Sequence, residues 1–449
     1  MTDVLIDLGL DRSSPVTGAP RPGPRARWRR SARLRRWCVV AVVLVLPLAV
    51  LPAATPVPPR FVPVFTLPFA DNGSFALIGD TLYAVVEGAN GYALTAFRLR
   101  DGTVRWASDL GIAPSPSSPT EQLAYVWSMD GTLGVTIWTQ SRSEPVVSND
   151  PPGRTVAYDP ATGRPLWSQD GFIQGTLSQG RVLIYRGRPD SAVAEHVAVD
   201  AATGAVVWMF PQPEMVMALD WNPTGEMHWM VTVDQDGLLS LIDLGTGTVV
   251  ATTTIREQTA DGRIDVAGDR LLVWEPQSEV VQVHAYRLSD LAHLWTAPAT
   301  RAEFASRCGS WICIGGPNGT RALDPDTGEQ RWSNREWAYV SGPWPGDLLV
   351  VSTIPDGPPR VAFADARTGE IRMRLGTWTM EWVPPKPSTL LITRRPYDGA
   401  PAWFALLSPD LSTMTWLGML DRTKQCQYTD GYLFCTMLGN QLRVWRVNV

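Results

Sequence analysis

The chain has 449 residues, a formal net charge of −5 and 45% hydrophobic residues, including 20 tryptophans. This hydrophobic content excludes an intrinsically disordered protein, and the acidic balance argues against a nucleic-acid-binding one. The 38 glycines and 38 prolines suit a fold with many tight turns. The composition therefore predicts a large, well-packed and turn-rich protein.

Residues 1–37 are predicted to be a disordered, Arg-rich cytoplasmic tail. Eight arginines fall between positions 21 and 36, namely Arg21, Arg25, Arg27, Arg29, Arg30, Arg33, Arg35 and Arg36. Eight cations could neutralise several phosphates of a nucleic acid. However, a basic cluster directly before an apolar run is typical of a topogenic, lipid-contacting segment. Residues 1–54 hold nine of the 39 cations and three of the 44 acids, so residues 55–449 carry −11 and would repel nucleic acid.

Residues 38–54 contain no charged side chain and are predicted to form a transmembrane helix. About 17 apolar residues is the short end of what crosses a bilayer. A cleaved signal peptide is the alternative, but the long leading region and the lack of a small-x-small cleavage motif favour a retained anchor. The arginines place the N-terminus in the cytoplasm and the rest outside, after a Pro-rich linker at 55–60.

A nine-residue pattern then recurs along residues 61–449. It begins with Asp159-Pro160-Ala161-Thr162-Gly163 and ends at Trp167, and clear copies follow at Asp200–Trp208, Asp243–Ala251, Asp324–Trp332 and Asp365–Met373. Degraded copies occur at Arg98–Trp106, Arg287–Trp295 and Ser408–Trp416. Most copies lie about 40 residues apart, which is the length of a four-stranded propeller blade. The Thr-Gly step supplies the positive φ of a tight hairpin turn.

A tryptophan ends six of the eight copies, at Trp106, Trp167, Trp208, Trp295, Trp332 and Trp416. An aromatic ligand cage is one interpretation of these residues. A residue that returns once per blade instead indicates packing between neighbouring blades, which is the interpretation we prefer. The Asp before each turn is expected to cap the hairpin.

Four cysteines form two local pairs, and the fifth lies in the apolar segment. An Asp-Gly turn at 430–431 would place Cys426 opposite Cys435 as a non-hydrogen-bonded pair, within disulfide range. Cys308 and Cys313 are closer in sequence and are also predicted to be bonded. Zinc binding is the alternative, but the pairs lie in different blades and lack the two-residue ligand spacing.

No catalytic motif is present: Walker, Gly-x-Ser-x-Gly, His-Glu-x-x-His and haem-attachment patterns are all absent from the sequence. The four histidines, at 196, 228, 284 and 293, are dispersed over different strands and are interpreted as strand or surface residues. We therefore predict no catalytic residue, no metal ligand and no cofactor. The sequence leaves open one alternative, a catalytic acid–base pair of carboxylates across a central channel.

The pattern Ala157-Tyr158-Asp159-Pro160-Ala161-Thr162-Gly163-Arg164-Pro165-Leu166-Trp167 resembles the repeat of the pyrroloquinoline-quinone-like β-propeller superfamily. It is similar to the non-enzymatic branch, which includes the propeller subunit of the outer-membrane β-barrel assembly machinery and many single-pass bacterial envelope proteins. The superfamily's quinoprotein dehydrogenases use a vicinal Cys-Cys disulfide, and this chain has no adjacent cysteines. The resemblance implies the fold and not the specific role.

The expected fold is all-β, an eight-bladed β-propeller of four-stranded blades preceded by one transmembrane helix. Eight blades are what the resemblance implies, with closure by a strand from each chain end. The residues allow nine, because three strands at 426–447 follow the eighth hairpin and 63–67 can supply their outer partner.

The expected function is an extracytoplasmic protein-interaction, scaffold or sensing module, anchored in the cell membrane and bound to other envelope proteins. The alternative is an envelope enzyme, a quinoprotein-like dehydrogenase or a lactonase, acting on a small alcohol or sugar in the propeller funnel. The 61-residue spacing between the first two copies indicates two enlarged loops as candidate partner sites. These contain Pro114, Pro116 and Pro119 in one loop, and Glu144, Asn149 and Asp150 in the other.

Overall fold

The computed structural model describes residues 60–448 except 70–72, 89–90, 113–119, 130, 142–152, 188–193, 213–216, 222–225, 235, 256–262, 278–279, 301–302, 345–347, 353–359, 382–388 and 396–399. Pro59–Val449 forms one compact region. None of the described residues belongs to a helix long and apolar enough to cross a membrane. The apolar segment at 38–54 lies outside the described residues, so the transmembrane helix stays a prediction.

The described residues form 36 β-strands. The first half of the chain contains β1 (Phe61–Pro68), β2 (Phe75–Ile78), β3 (Thr81–Gly88), β4 (Gly91–Arg98), β5 (Val104–Ile112), β6 (Thr120–Met129), β7 (Thr132–Ser141), β8 (Arg154–Tyr158), β9 (Pro165–Asp170), β10 (Phe172–Leu177), β11 (Arg181–Arg186), β12 (Ala194–Asp200), β13 (Val206–Gln212), β14 (Met217–Trp221), β15 (Glu226–Val233), β16 (Leu238–Asp243) and β17 (Thr248–Thr254). The second half contains β18 (Arg263–Ala267), β19 (Arg270–Gln277), β20 (Val280–Arg287), β21 (His293–Ala299), β22 (Phe304–Cys308), β23 (Trp311–Gly316), β24 (Gly319–Leu323), β25 (Gln330–Asn334), β26 (Tyr339–Trp344), β27 (Leu348–Ser352), β28 (Val361–Asp365), β29 (Ile371–Arg374), β30 (Thr379–Met380), β31 (Leu390–Arg394), β32 (Ala402–Leu407), β33 (Met414–Leu420), β34 (Thr423–Thr429), β35 (Tyr432–Met437) and β36 (Gln441–Val447).

These strands group into nine antiparallel four-stranded units within the described part of the chain. Units 1 to 8 follow the sequence, from β2–β5 to β30–β33. Unit 9 combines β34, β35 and β36 with β1 from the other chain end, and Phe61 opposes Val447 there. Units 3 and 4 join into one eight-stranded sheet through a short parallel pairing of β10 with β15. The expected count of eight is therefore not confirmed, whereas the expected pairing of 63–67 with the C-terminal strands is present.

The hydrophobic core lies between the units. Every pair of consecutive units, including units 9 and 1, shares a cluster of buried side chains. At the closing junction, for example, the ring of Phe75 in β2 lies 5.3 Å from that of Phe434 in β35. Side chains alternate along each strand, so both faces of a unit are buried against neighbours. Four-stranded units that stack on one another in cyclic order form the arrangement of a β-propeller.

Candidate functional site

Five of the six repeat tryptophans pack against the hairpin turn of the following unit. The indole Nε1 of Trp106 donates a hydrogen bond of 2.9 Å to the carbonyl of Pro160 in the next turn. Equivalent bonds of 2.9 to 3.2 Å are made by Trp167 to Ala201, Trp208 to Leu244, Trp295 to Pro325 and Trp332 to Ala366. In each case the turn glycine lies on the ring, where a Cβ would come closer than 3.0 Å to ring carbons. The glycine is thus required twice, by its positive φ and by the indole above it.

Two of the eight repeat copies lack the tryptophan, and the turn that follows each of them lacks the glycine. In unit 4 the repeat copy ends with Ala251 in place of tryptophan. The hairpin turn of unit 5, which follows it, has Leu291 at φ 55° in place of glycine. Leu291 belongs to the buried cluster against which Ala251 packs. Likewise Met373 is followed by Leu411 at φ 59°, and both border one cluster. A leucine in this backbone region is uncommon.

Trp416 departs from this arrangement because a β-bulge has moved. Trp106 opposes Ala96, and the unpaired bulge residue Arg105 precedes the tryptophan. Trp416 opposes Ala405 in the same way, but its bulge residue is Leu417, which follows the tryptophan. Each side chain between the two bulge positions therefore lies on the opposite face of the strand.

As a result, Leu417 is buried toward unit 9, and Trp416 turns the other way. The Trp416 ring lies 5.3 Å from Trp378 and 5.4 Å from Trp403, and 42% of the residue is exposed. Trp416 therefore does not make the contact with the following unit that the other five repeat tryptophans make. The repeat spacing could not reveal the change, because the bulge leaves the residue count from the turn to the tryptophan unaltered.

The aspartates of the repeat bind their own turns, as the sequence predicts. Asp159 Oδ1 accepts the backbone N–H of Ala161 at 2.8 Å, and its Oδ2 accepts the hydroxyl of Thr162 at 2.7 Å. The hydrogen bond from Thr162 holds the pKa of Asp159 below its usual value. For Asp324 the guanidinium of Arg331 is the largest cause of a lowered pKa. Because these carboxylates serve the turns, they are not candidates for acid–base catalysis.

Both predicted disulfides are present. Cys426 opposes Cys435 across the β34–β35 hairpin with a Cα–Cα distance of 4.1 Å. The two-residue turn has φ 50° at Asp430 and 79° at Gly431, as an Asp-Gly hairpin turn requires. The Cys308–Cys313 bond joins β22 to β23, with Cα atoms 5.7 Å apart.

A half-buried carboxyl group adjoins the Cys426–Cys435 disulfide. Glu381 follows β30, the first strand of unit 8, and its Oε1 accepts the hydroxyl of Thr393 at 3.0 Å. The Oε2 atom lies 3.4 Å from the backbone nitrogen of Cys426 in unit 9. Burial raises the pKa of Glu381 above its ordinary value, although the two hydrogen bonds act in the opposite direction. This carboxyl lies at the junction of the ring-closing unit, where the sequence offered no signal for it.

The four histidines lie on four different strands, as expected, but two of them meet across one hairpin. In unit 5, His284 on β20 opposes Thr296 on β21, and His293 opposes Tyr286. Nδ1 of His284 lies 2.9 Å from Thr296 Oγ1, which is 3.1 Å from Nε2 of His293. The other ring nitrogen of His284 is 3.3 Å from Glu275 Oε2. A chain of carboxyl, imidazole, hydroxyl and imidazole thus runs to the surface, and only the hairpin register could have predicted it.

The two predicted partner loops lie outside the described residues. The strands on either side of them are described, and they place both connections at one edge of unit 2. Thr120, which begins β6, opposes Ser141, which ends β7, whereas the Thr-Gly turn joins the opposite strand ends at Tyr158 and Pro165. The strand ends on either side of both loops thus lie opposite the Thr-Gly turn of unit 2.

In the part of the chain that the structure describes, no group of three or more His, Cys, Asp or Glu side chains could hold a metal ion.

Residues 89–260 match the family model described as outer membrane protein assembly factor BamB. These residues are therefore similar to the repeats of that family. The outer membrane protein assembly factor BamB of Kangiella koreensis is 25% identical over 192 residues, which are 43% of this chain and 44% of that protein. The chain thus matches less than half the length of that relative.

Two solved structures are similar over most of the chain. The crystal structure of a eukaryotic initiation factor is 12% identical, covers 82% of this chain and 94% of its own, and has a TM-score of 0.54. At this identity the likeness is one of fold alone. BamB from Moraxella catarrhalis is 15% identical, with 86% of this chain and 98% of that chain covered and a TM-score of 0.42.

Proposed function

We propose that this protein is a scaffold or interaction module of the cell envelope, anchored in the membrane by residues 38–54 with its propeller outside the cytoplasm. The observation that carries the proposal is the match of residues 89–260 to the family of an outer membrane protein assembly factor. Factors of that name serve the assembly of other envelope proteins. The partners proposed for this chain are therefore envelope proteins as well.

Three features of the described residues support a binding role over a catalytic one. The repeated aspartates serve their turns, five of the six repeated tryptophans pack against the following unit, and both cysteine pairs are bonded. Apart from Trp416, these recurring residues are thus engaged in holding the fold. What differs from repeat to repeat is the loops and the outer strands, and variable elements on a rigid scaffold commonly carry binding.

The proposed partner site is the pair of enlarged loops in unit 2. Replacing residues 113–119 and 142–152 of the full chain with short Gly-Ser connections should leave thermal stability nearly unchanged and abolish the capture of envelope proteins crosslinked in intact cells. The matched control shortens 353–359, which joins the corresponding middle strands β27 and β28 of unit 7. Unaltered capture by the first variant, or equal loss in the control, would exclude these loops.

We further propose that the nine units close into a nine-bladed ring. The support is the shared cluster between units 8 and 9 and the shared cluster between units 9 and 1, which leave no pair of ring neighbours unpacked among the described residues. Electron-microscopy class averages viewed down the ring axis would count the blades directly. Eight blades in those averages would contradict the proposal.

The enzyme alternative has one observation in its favour, the hydrogen-bonded chain of Glu275, His284 and Thr296. An imidazole between a carboxyl and a hydroxyl is the arrangement of a general base. Hydrolysis of an activated ester or a lactone by the purified chain, lost in His284→Gln, would favour it. Quinoprotein chemistry is tested separately: we expect no binding of pyrroloquinoline quinone with calcium by calorimetry, since the chain has no adjacent cysteines.

A further inference from the structure

The outer strand of unit 8 presents an uncharged face on which three large apolar side chains are exposed. Met414, Trp416 and Met419 lie on β33 with 42%, 42% and 46% of each residue exposed. The seven residues of β33 contain no charged side chain. Because outer strands have a free edge, charges there usually prevent unwanted association. The neighbouring outer strand β29 follows that rule with two arginines in four residues.

This face exists because of the displaced bulge. Had the bulge preceded Trp416, as it does in β5, the indole would be turned toward unit 9. Instead Trp416 rests on the rings of Trp378 and Trp403, and Met419 opposes Trp403 across the strand pair. The result is an aromatic and thioether surface supported from beneath by two further indoles. We name Met414, Trp416 and Met419 the β33 patch.

The chain enters the propeller beside β33, on the face of that strand opposite the β33 patch. Phe61, the first residue of β1, contacts Phe404 of unit 8 with ring centroids 6.0 Å apart. Its ring also lies near Gly418, which is adjacent to Met419 in β33. The backbone carbonyl of Arg60 accepts a hydrogen bond from the N–H of Asn448, so the two chain ends meet here. In other units a hairpin turn occupies this place.

Only residues 55–60 separate this point from the apolar segment at 38–54. Six residues of a Pro-rich linker span about 19 Å when extended as polyproline. If the apolar segment is in a bilayer, the entry point lies within that distance of the bilayer surface. Indole rings with an apolar body and a polar N–H are the side chains that favour the membrane–water interface.

We propose that the β33 patch contacts the lipid headgroup region of the membrane in which the chain is anchored. This inference rests on the membrane anchoring proposed above and extends it by assigning the surface that faces the lipid. Contact there would orient the propeller with its Thr-Gly turns toward the bilayer and the enlarged loops of unit 2 away from it. The loops would then be accessible to envelope partners.

The test places a photoreactive benzoylphenylalanine at position 416 or 419 of the full-length chain. The chain is reconstituted into vesicles of phosphatidylethanolamine and phosphatidylglycerol at 3:1. The matched control is position 209, since Met209 is 58% exposed on the uncharged outer strand β13, four units away around the ring. We expect phospholipid adducts at 416 and 419 by mass spectrometry, at least tenfold above position 209. The probe at 419 keeps Trp416 intact, so it detects lipid contact by the β33 patch even if substitution at 416 disturbs the fold.

The outcomes separate this inference from the proposal on which it depends. Release of the chain from the vesicles by alkaline carbonate would overturn the anchoring and the lipid contact together. A carbonate-resistant chain with equal adducts at 416, 419 and 209, or with none at 416 and 419, would overturn the lipid contact alone. Crosslinks at 416 and 419 to a second copy of the chain instead of lipid would also overturn it.

Discussion

Gly163 lies against the indole ring of Trp106, so the turn of one unit is covered by the tryptophan of the unit before it. A Cβ at position 163 would overlap the ring, and its φ of 72° is costly for any residue other than glycine. We therefore expect Gly163→Ala to destabilise the propeller by about 2–5 kcal/mol, the sum of backbone strain and overpacking. Urea denaturation of the full chain measures this.

The matched control is Gly79→Ala. Gly79 has a similar φ of 58°, but open space surrounds the position where its Cβ would be. The control substitution should lower the free energy of unfolding by only about 1–2 kcal/mol, because it adds backbone strain without overpacking. A double variant that adds Trp106→Ala to Gly163→Ala should recover part of the loss, because the clash is removed. Equal costs at positions 79 and 163 would show that the indole contact is unimportant.

The disulfides are expected to stabilise the inner hairpins of units 6 and 9. Each closes a short loop, so the Cys308→Ser/Cys313→Ser and Cys426→Ser/Cys435→Ser variants should each lose about 2–3 kcal/mol. Peptide mapping without reductant should recover the 308–313 and 426–435 linkages from protein isolated from the envelope. Free thiols at these positions would contradict the bonded state and also an oxidising compartment.

The sequence predicted the repeating elements well because local chemistry determines them. The Asp-x-x-Thr-Gly turn, the alternating strands and the Asp430-Gly431 hairpin each depend on neighbours a few residues away. Contacts between units depend instead on residues that are far apart in the sequence. The match of Ala251 with Leu291 joins residues 40 positions apart, and it becomes visible only when the stacking order is known.

The face that Trp416 occupies depended on where a bulge falls. The bulge inserts one unpaired residue without changing the spacing of the pattern, so no count along the sequence could locate it. The meeting of His284 with His293 depended on hairpin register in the same way. The residues on which the β33 patch and the enzyme alternative rest were thus the ones that local patterns could not place.

Glu381 should make the propeller less stable as the pH rises. Burial raises its pKa in the folded state, so the carboxyl binds its proton more tightly in the folded than in the unfolded chain. This contribution is fully present below the unfolded pKa of about 4.3 and is lost as the pH rises through the folded pKa. Gln cannot ionise, so the melting temperature of Glu381→Gln relative to the parent should be more favourable at pH 8 than at pH 4. A difference that does not change with pH would contradict a raised pKa.

The aspartates of the hairpin turns should make the propeller less stable as the pH falls, which is the opposite of the effect of Glu381. Hydrogen bonds from Thr103 lower the pKa of Asp101 to about 2, and those from Ser408 and Ser412 lower that of Asp410 to about 2. A lowered folded pKa adds stability above the unfolded value of about 3.9, and this stability is lost as the pH falls toward 2. Melting temperatures between pH 4 and pH 2 should therefore fall less steeply in Asp101→Asn/Asp410→Asn than in the parent. Parallel curves would exclude a contribution from these two turns.

The proposed topology makes a prediction about access to the propeller in cells. The eight arginines at positions 21–36 place the N-terminus inside, so the propeller should lie outside the cytoplasmic membrane. Protease added to intact spheroplasts should remove a C-terminal epitope tag while an N-terminal tag stays protected. A control variant with its eight arginines replaced by glutamine should lose this fixed orientation, because the charge asymmetry that sets it is gone. Protection of both tags in the parent chain, with digestion of both after lysis, would contradict an external propeller.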